Sequence, residues 1–264
     1  MSRILITGCS TGIGRAAALE LAARGHEVIA TARRPETLED LAVAQRLVLD
    51  VDSDASVAAA VAAAGEVDVL VNNAGWEVAG PVEKVGLDHI RAMFETNYFG
   101  AVRMIQAVVP QMRERGSGVI VNVSSVAGRV AGPLNGFYAG TKYALEALSE
   151  SMHYELGHFG IRTVIVEPGA IATKFQDNIR RVGTDDAPYD ELFRLWHGAT
   201  ERLTPEGVPG PEVVARIIAD GVEDPGSPLR MPAGADAELV ITTRAQTDDA
   251  TFEATMRAAL DLTW

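Results

Sequence analysis

Apolar positions along this chain fall in short continuous runs separated by longer stretches of helical spacing. Ile4-Leu5-Ile6-Thr7 is a β-rich run that stops at Gly8. An Ala- and Leu-rich segment from about Arg15 to Arg24 follows, with Gly25 as its C-cap. Val28 to Thr31 is the next run. The pattern then repeats: strand Leu47 to Asp50, an Ala-rich helix after Ser53, strand Val67 to Val71, a long helical stretch from about Leu87 to Arg113, and strand Val119 to Ser125, which ends in two serines. A helix carrying Tyr138 follows, with Leu145, Leu148, Met152 and Leu156 as its core stripe. Strand Ile161 to Glu167, helix Glu212 to Gly221, a short strand Leu229 to Met231 and a terminal helix Phe252 to Leu260 complete the series. Strands that are apolar throughout and alternate with helices predict a parallel sheet covered on both faces. The expectation is a single α/β domain over 1–264, Rossmann-type and doubly wound, with about seven strands. One stretch, about 174–205, breaks the alternation and holds Phe175, Tyr189, Phe193 and Trp196. It reads as a helical flap over a site, or as an oligomer contact.

Open parallel sheets bind ligands at the C-terminal ends of their strands, and the polar motifs gather there. The first run ends in Gly8-Cys9-Ser10-Thr11-Gly12-Ile13-Gly14. A glycine turn lets backbone approach a pyrophosphate, and the following helix offers unpaired N–H groups and a positive dipole end. The second run ends in Ala32-Arg33-Arg34, with no acid to grip a ribose 2′-hydroxyl. Arg33, with Arg15 or Arg34 as helpers, suits a 2′-phosphate, so NADP(H) is favoured over NAD(H). Asp50 can accept from an adenine amino group, with the Val51 backbone beside it, or serve as an acid at the start of the next helix. Asn72-Asn73-Ala74-Gly75 can stabilise a turn and line a cofactor floor. Asn97 interrupts the apolar stripe of Ile90, Met93, Ala101, Met104 and Val108, and a buried amide needs partners. It is therefore a structural bridge or part of a polar route into the site. Tyr138 and Lys142 stand four apart on a helix, one turn over the other. An ammonium beside a phenol lowers its pKa, and work near neutral pH needs about 4 kcal/mol of such help.

Composition narrows the classes. The 264 residues are 47% hydrophobic with a net charge of −13, which opposes nucleic acid and anionic membranes as general partners. One cysteine excludes an internal disulfide framework and fits a reducing cytosol. Cys9 reads as a small packed residue. A strand begins almost at once, so no signal peptide is expected. No apolar run approaches the roughly 20 residues of a membrane span. A cytoplasmic protein without membrane insertion is the expectation.

Together, Thr7-Gly8-x3-Gly12-Ile13-Gly14, Asp50, Asn72-Asn73-Ala74-Gly75, Asn97, Ser125, Tyr138-x3-Lys142 and Pro168-Gly169-x3-Thr173 resemble the short-chain dehydrogenase/reductase family over essentially the whole chain. The Thr-Gly-Cys-Ser-Thr-Gly-Ile-Gly form and the stretch after Asn97 are similar to its branch of retinol and hydroxysteroid dehydrogenases. The resemblance implies hydride transfer between NADP(H) and a ketone or secondary alcohol, without a metal. It assigns Tyr138 as acid/base and Lys142 as pKa-lowering and ribose-binding. Ser125 orients the carbonyl, and Asn97 holds a relay water. Asn73, Ala74 and Gly75 border the cofactor, and Pro168, Gly169, Ile171 and Thr173 lie at its carboxamide end. A homodimer or homotetramer is the family habit. Gly140-Thr141 replaces the more usual Ala-Ser inside the tyrosine motif. The flap aromatics, with Trp76 and Leu134, suggest a bulky apolar substrate. The alternative is a non-catalytic NADP-sensing protein of the same fold, which would commonly lack the tyrosine or the lysine.

Overall fold

The computed structural model describes residues 1–185, 187–198 and 202–264. Its strands are β1 (Arg3–Ile6), β2 (Glu27–Ala32), β3 (Gln45–Val48), β4 (Val69–Asn72), β5 (Val78–Ala79), β6 (Gly118–Val123), β7 (Ile161–Pro168), β8 (Arg180–Arg181) and β9 (Arg230–Ala233). Seven of them form one sheet in the order β3-β2-β1-β4-β6-β7-β9, and every pairing in it is parallel. The order reverses between β1 and β4, which is where such a sheet opens a crevice. The helices are α1 (Gly12–Ala23), α2 (Asp54–Ala64), α3 (Leu87–Phe94), α4 (Gly100–Arg115), α5 (Gly136–Gly157), α6 (Lys174–Asp177), α7 (Asp190–His197), α8 (Pro211–Glu223), α9 (Ala235–Gln246) and α10 (Asp249–Ala259).

Successive strand residues point to opposite faces, so each strand feeds two cores. Ile4, Ile6, Val28 and Val121 pack with Ala17, Leu21, Val214 and Ile218 of α1 and α8. Leu5, Ile29, Leu70 and Ile120 pack with Val57, Met104, Val108, Met112 and Met152 of α2, α4 and α5. Each such side chain contributes about 1.5–3 kcal/mol by leaving water. Both faces are covered, which is why the central strands read as unbroken apolar runs.

The structure departs from the sequence reading in four places. β3 begins at Gln45 rather than Leu47, and Asp50 lies past its end. As an edge strand it alternates half-buried and exposed residues, so it lacks the continuous run that marks the others. The long helical stretch is not one α-helix: a π-helical turn, Glu95–Phe99, joins α3 to α4. The predicted flap is only partly helical. It contains α6, β8 and α7, and β8 pairs in parallel with β5 as a separate two-stranded sheet. Residues 186 and 199–201 of that flap lie outside the described residues. Finally, α9 was not anticipated. No helix among the described residues is long and apolar enough to cross a membrane.

Candidate active site

The glycine turn after β1 is shaped by close approach. Gly8 has φ +75, and a Cβ there would stand 2.9 Å from the Ala74 Cα. At Gly14 a Cβ would lie 2.4 Å from Asn73 Nδ2 and 2.5 Å from the Gly8 carbonyl oxygen. The Asn73 amide donates to the carbonyls of Thr7 at 2.9 Å and Gly8 at 3.2 Å. The Thr7 hydroxyl accepts from the backbone N–H groups of Asn73 and Ala74, at 2.9 and 3.0 Å. Asn73 thus locks the turn to the end of β4, using its side chain on protein rather than on the crevice. The Thr7 hydroxyl is a part the sequence reading missed. Thr11 precedes α1 without capping it by its side chain, so backbone N–H groups of the first turn remain the donors that face an anion. Ser10 is half-buried, Thr11 exposed, and Ile13 packs against the core. Gly12 comes within 3.3 Å of the Thr173 Cβ, measured from where its own Cβ would be, so the two ends of the expected cofactor channel meet.

Beyond β2, Arg33 is exposed and makes no ion pair among the described residues. Arg15, a suggested helper, is committed to Asp40 at 2.5 Å and the Thr37 carbonyl at 3.3 Å. Asp50 accepts from the Asp52 N–H at 3.2 Å in a tight turn, and Ser53, not Asp50, caps α2. The Val51 side chain is buried against Gly100. After β7, the Gly169 N–H donates to the Ala233 carbonyl at 3.0 Å, and Asp236 holds the Ala170 N–H at 2.7 Å. The Ile171 side chain belongs to the main core, which leaves its backbone as the part that can face a ligand. Thr173 caps α6 through the Phe175 N–H at 3.2 Å.

Tyr138 and Lys142 are both buried in the first turns of α5. The Lys142 ammonium donates to the Val123 carbonyl at 2.9 Å and lies 5.7 Å from the centre of the Tyr138 ring. Ser125 sits just past β6, its hydroxyl accepting from the Ala127 N–H at 3.1 Å and stabilising the ionised phenol. Its neighbour Ser124 is buried beneath. Asn97 comes from the π-turn, a feature that often marks functional positions because it re-aims one side chain. Its carboxamide clamps Trp76, accepting from the N–H at 3.0 Å and donating to the carbonyl at 2.9 Å. It also donates to the Thr141 hydroxyl at 3.1 Å, which in turn donates to the Tyr138 carbonyl at 2.7 Å. Thr141, read in the sequence only as a replacement inside the tyrosine motif, therefore ties α5 to Asn97.

The electrostatics differ from the simple phenol–ammonium picture. Burial raises the Tyr138 phenol above its ordinary value, and the nearby Glu77 charge raises it further; only the Ser125 hydrogen bond opposes them. Desolvation lowers Lys142 to about 8, against the pull of Glu146 and Glu77. Lys142 points at a backbone carbonyl, so its effect on the phenol does not outweigh desolvation. Glu77, which the sequence reading passed over, is pushed up by burial to about 7, with Lys142 opposing. Farther down α5, Glu146 is buried and ion-paired with Arg230 of β9 at 3.0 Å. Arg230 also reaches Glu150 at 2.7 Å and Glu167 at 3.5 Å, and Glu167 pairs with Arg129 at 3.0 Å. Phe175 of the flap lies 5.9 Å from Tyr138, ring centre to ring centre. Trp196 packs against Gly132, where a Cβ would stand 2.4 Å from the indole. No group of three or more His, Cys, Asp or Glu among the described residues is placed to hold a metal.

The chain as a whole is similar to known proteins. The family model for short chain dehydrogenases fits residues 2–182. The chain is a short-chain dehydrogenase/reductase. Human retinol dehydrogenase 8 is 38% identical over 250 residues, which are 86% of this chain and 79% of that protein. A crystal structure of a short-chain dehydrogenase from Streptomyces avermitilis matches with a TM-score of 0.83 at 33% identity, covering 100% of this chain and 99% of that one. A Burkholderia cenocepacia short-chain dehydrogenase in complex with NADP matches at 0.79 and 25% identity, over 97% of both chains. This short-chain dehydrogenase/reductase falls in the retinol dehydrogenase-like branch of its family.

Proposed function

We propose that the protein is an NADP(H)-dependent ketoreductase and alcohol dehydrogenase that interconverts a bulky, largely apolar ketone and its secondary alcohol. The observation that carries this reading is the buried Tyr138 phenol, which shares the crevice with the Ser125 hydroxyl and the Lys142 ammonium. The residues present fit the cofactor. Gly8, Gly12 and Gly14 leave space where side chains would intrude, beside the α1 N-terminus. That turn, with Ser10, Thr11 and Ile13, would hold the pyrophosphate, and Arg33 the 2′-phosphate. Asp50 and Val51 would border the adenine, Ala74 and Gly75 the ribose, and the backbone of 168–173 the carboxamide. When bound, the nicotinamide supplies or accepts the hydride.

The chain's own groups move the proton. In reduction Tyr138 donates to the carbonyl oxygen while Ser125 polarises it. Burial favours the protonated phenol, which suits it as the acid. In oxidation the phenolate must form; the Ser125 hydrogen bond stabilises it, and the Lys142 ammonium, 5.7 Å from the ring centre, is the neighbouring cation that would support it once the cofactor is bound. Asn97 retains a second lone pair on Oδ1 for a relay water, while its three hydrogen bonds fix Trp76 and α5. The aromatic wall of Trp76, Phe137, Tyr138 and Phe175 supports an apolar substrate, as does the likeness to retinol dehydrogenase 8. Half-exposed Phe99 and Tyr143 support a homodimer or homotetramer, to be checked by light scattering. The lone reduced cysteine accords with a cytoplasmic enzyme.

The test is nicotinamide absorbance with NADPH and NADH against a panel of bulky ketones. Tyr138→Phe should abolish turnover with nucleotide binding retained, and Arg33→Asp should reverse the cofactor preference. Unchanged turnover in the first variant would overturn the reaction assigned here, and unchanged NADPH affinity in the second would overturn the cofactor choice.

A further inference from the structure

Tyr138, Lys142, Glu146 and Glu150 stand four apart along α5, so they form one stripe down a single helix face. The first three are buried, and Glu150 is exposed. Two acids in adjacent turns repel each other unless a cation lies between them. Arg230 of β9 is that cation. It donates to Glu146 Oε2 at 3.0 Å and to Glu150 Oε1 at 2.7 Å, and lies 3.5 Å from Glu167 of β7. Glu167 in turn accepts from Arg129 at 3.0 Å, and the Arg129 carbonyl accepts from the Tyr143 hydroxyl of α5 at 2.6 Å. Ser125 and Arg129 flank the short helical turn 126–128 at its two ends. That turn touches Glu146 at Gly128, where a Cβ would stand 2.9 Å from Glu146 Cγ and 3.2 Å from its Oε1. The same Cβ would lie 2.7 Å from the hydroxyl of Ser124, whose neighbour Val123 supplies the carbonyl that holds the Lys142 ammonium. Glu146 thus packs on the Ser125 turn and follows Lys142 on its helix.

Stability does not account for this arrangement. A buried ion pair loses so much hydration that apolar residues of similar volume often serve as well or better. Glu146 Oε1 also has no hydrogen-bond partner among the described residues, where a carboxylate built only for structure would be satisfied. We propose that Glu146, gripped by Arg230, is a positioning residue for the reaction: it holds the Lys142 ammonium and the Ser125 turn in the arrangement that proton transfer at Tyr138 needs. This rests on the reaction proposed above and adds to it a residue that acts through Lys142 and Ser125. The Glu146 charge also favours the Lys142 ammonium against its desolvation. The titratable and charged groups around this pair are Glu77 ahead of β5, Tyr138 and Glu150 on α5, Glu167 on β7, Arg129 after the Ser125 turn and Arg230 on β9.

The test uses Glu146→Gln, Glu146→Asp and the double change Glu146→Leu with Arg230→Met. The double change removes both charges together and leaves Glu167 paired with Arg129, so it should melt close to wild type. Three readouts are taken: steady-state kinetics on a bulky ketone, NADPH affinity, and titration of Lys142 by carbon NMR of lysine labelled at Cε. The chain has three lysines, Lys84, Lys142 and Lys174, and the other two are exposed. Glu146→Gln and the double variant should lose about tenfold or more in kcat, with ketone KM and NADPH affinity held within about twofold. In Glu146→Gln, Lys142 should give up its proton at lower pH than in wild type, where burial brings it to about 8. Glu146→Asp keeps the charge and should restore part of both effects. An unmoved Lys142 midpoint in Glu146→Gln, or a folded double variant that keeps its kcat, overturns the Glu146 role and leaves a structural ion pair. The NMR titration needs no substrate, which keeps this inference apart from the reaction assignment. If Lys142 shifts in Glu146→Gln while wild type reduces no ketone, the reaction assignment fails and the coupling of Glu146 to Lys142 stands.

Discussion

Gly14→Ala tests the core of the cofactor assignment. The added methyl would stand 2.4 Å from Asn73 Nδ2 and 2.5 Å from the Gly8 carbonyl oxygen. The amide could swing away, but only by giving up its bonds to the Thr7 and Gly8 carbonyls at 2.9 and 3.2 Å. The Gly8 oxygen is backbone, so relief there moves the turn itself. Overpacking costs about 1–3 kcal/mol, and each lost hydrogen bond about 1 kcal/mol. The expected destabilisation is therefore about 3–5 kcal/mol. For a chain of this size each kcal/mol lowers Tm by about 2–4 °C, so a loss of roughly 6–20 °C is expected in a thermal melt. Because the same movement displaces N–H groups meant for a pyrophosphate, NADPH affinity by fluorescence titration should fall at least about tenfold. Gly136→Ala is the control: it stands at the start of α5 with nothing within 4 Å, and the change should be neutral or stabilise by up to about 1 kcal/mol. A Gly14→Ala protein that melts like the control and binds NADPH normally would refute the idea that this turn is a close-packed cradle.

Three further outcomes are expected. Thr141→Val should leave the Asn97 amide short of an acceptor and destabilise by about 1–3 kcal/mol in urea titration, with Thr141→Ser close to wild type; equal effects would remove the tie. Burial raises the Glu77 carboxyl from 4.5 to about 7, so the folded protein keeps a proton there that the unfolded chain releases. The stability tied to that proton is full below pH 4.5 and is lost as pH rises through about 7. Relative to wild type, Glu77→Gln should therefore gain stability between pH 5 and 8, by at most roughly 3 kcal/mol; a pH-independent difference in Tm would contradict the burial. The Cys9 thiol is buried and pushed up to about 12, so it should react with a disulfide reagent only on unfolding. Fast labelling of the native protein would refute that.

Much of this molecule could be read from the chain because its central strands are buried on both faces and so appear as apolar runs. Tyr138 and Lys142 were visible because four residues make one helical turn. Other features left no such mark. The pairing of Val78-Ala79 with Arg180-Arg181 involves two residues a side, too few to show a period. The π-turn leaves the helical stripe around Asn97 nearly unchanged, so the sequence looks like one helix. Gln45 belongs to an edge strand and is polar for that reason. The core packing of the Ile171 side chain was not legible, because a motif position does not say which way a side chain faces. The raised pKa of Tyr138 depends on how deeply the phenol is enclosed and on Glu77, which lies 61 residues earlier in the chain.

Arg230 has a consequence for protein engineering. The matched family region stops at residue 182, yet this guanidinium reaches back from the last strand to Glu146, one turn below Lys142. Chimeras that graft a relative's C-terminal third to alter selectivity would strand Glu146 without a counter-charge unless positions 146 and 230 travel together.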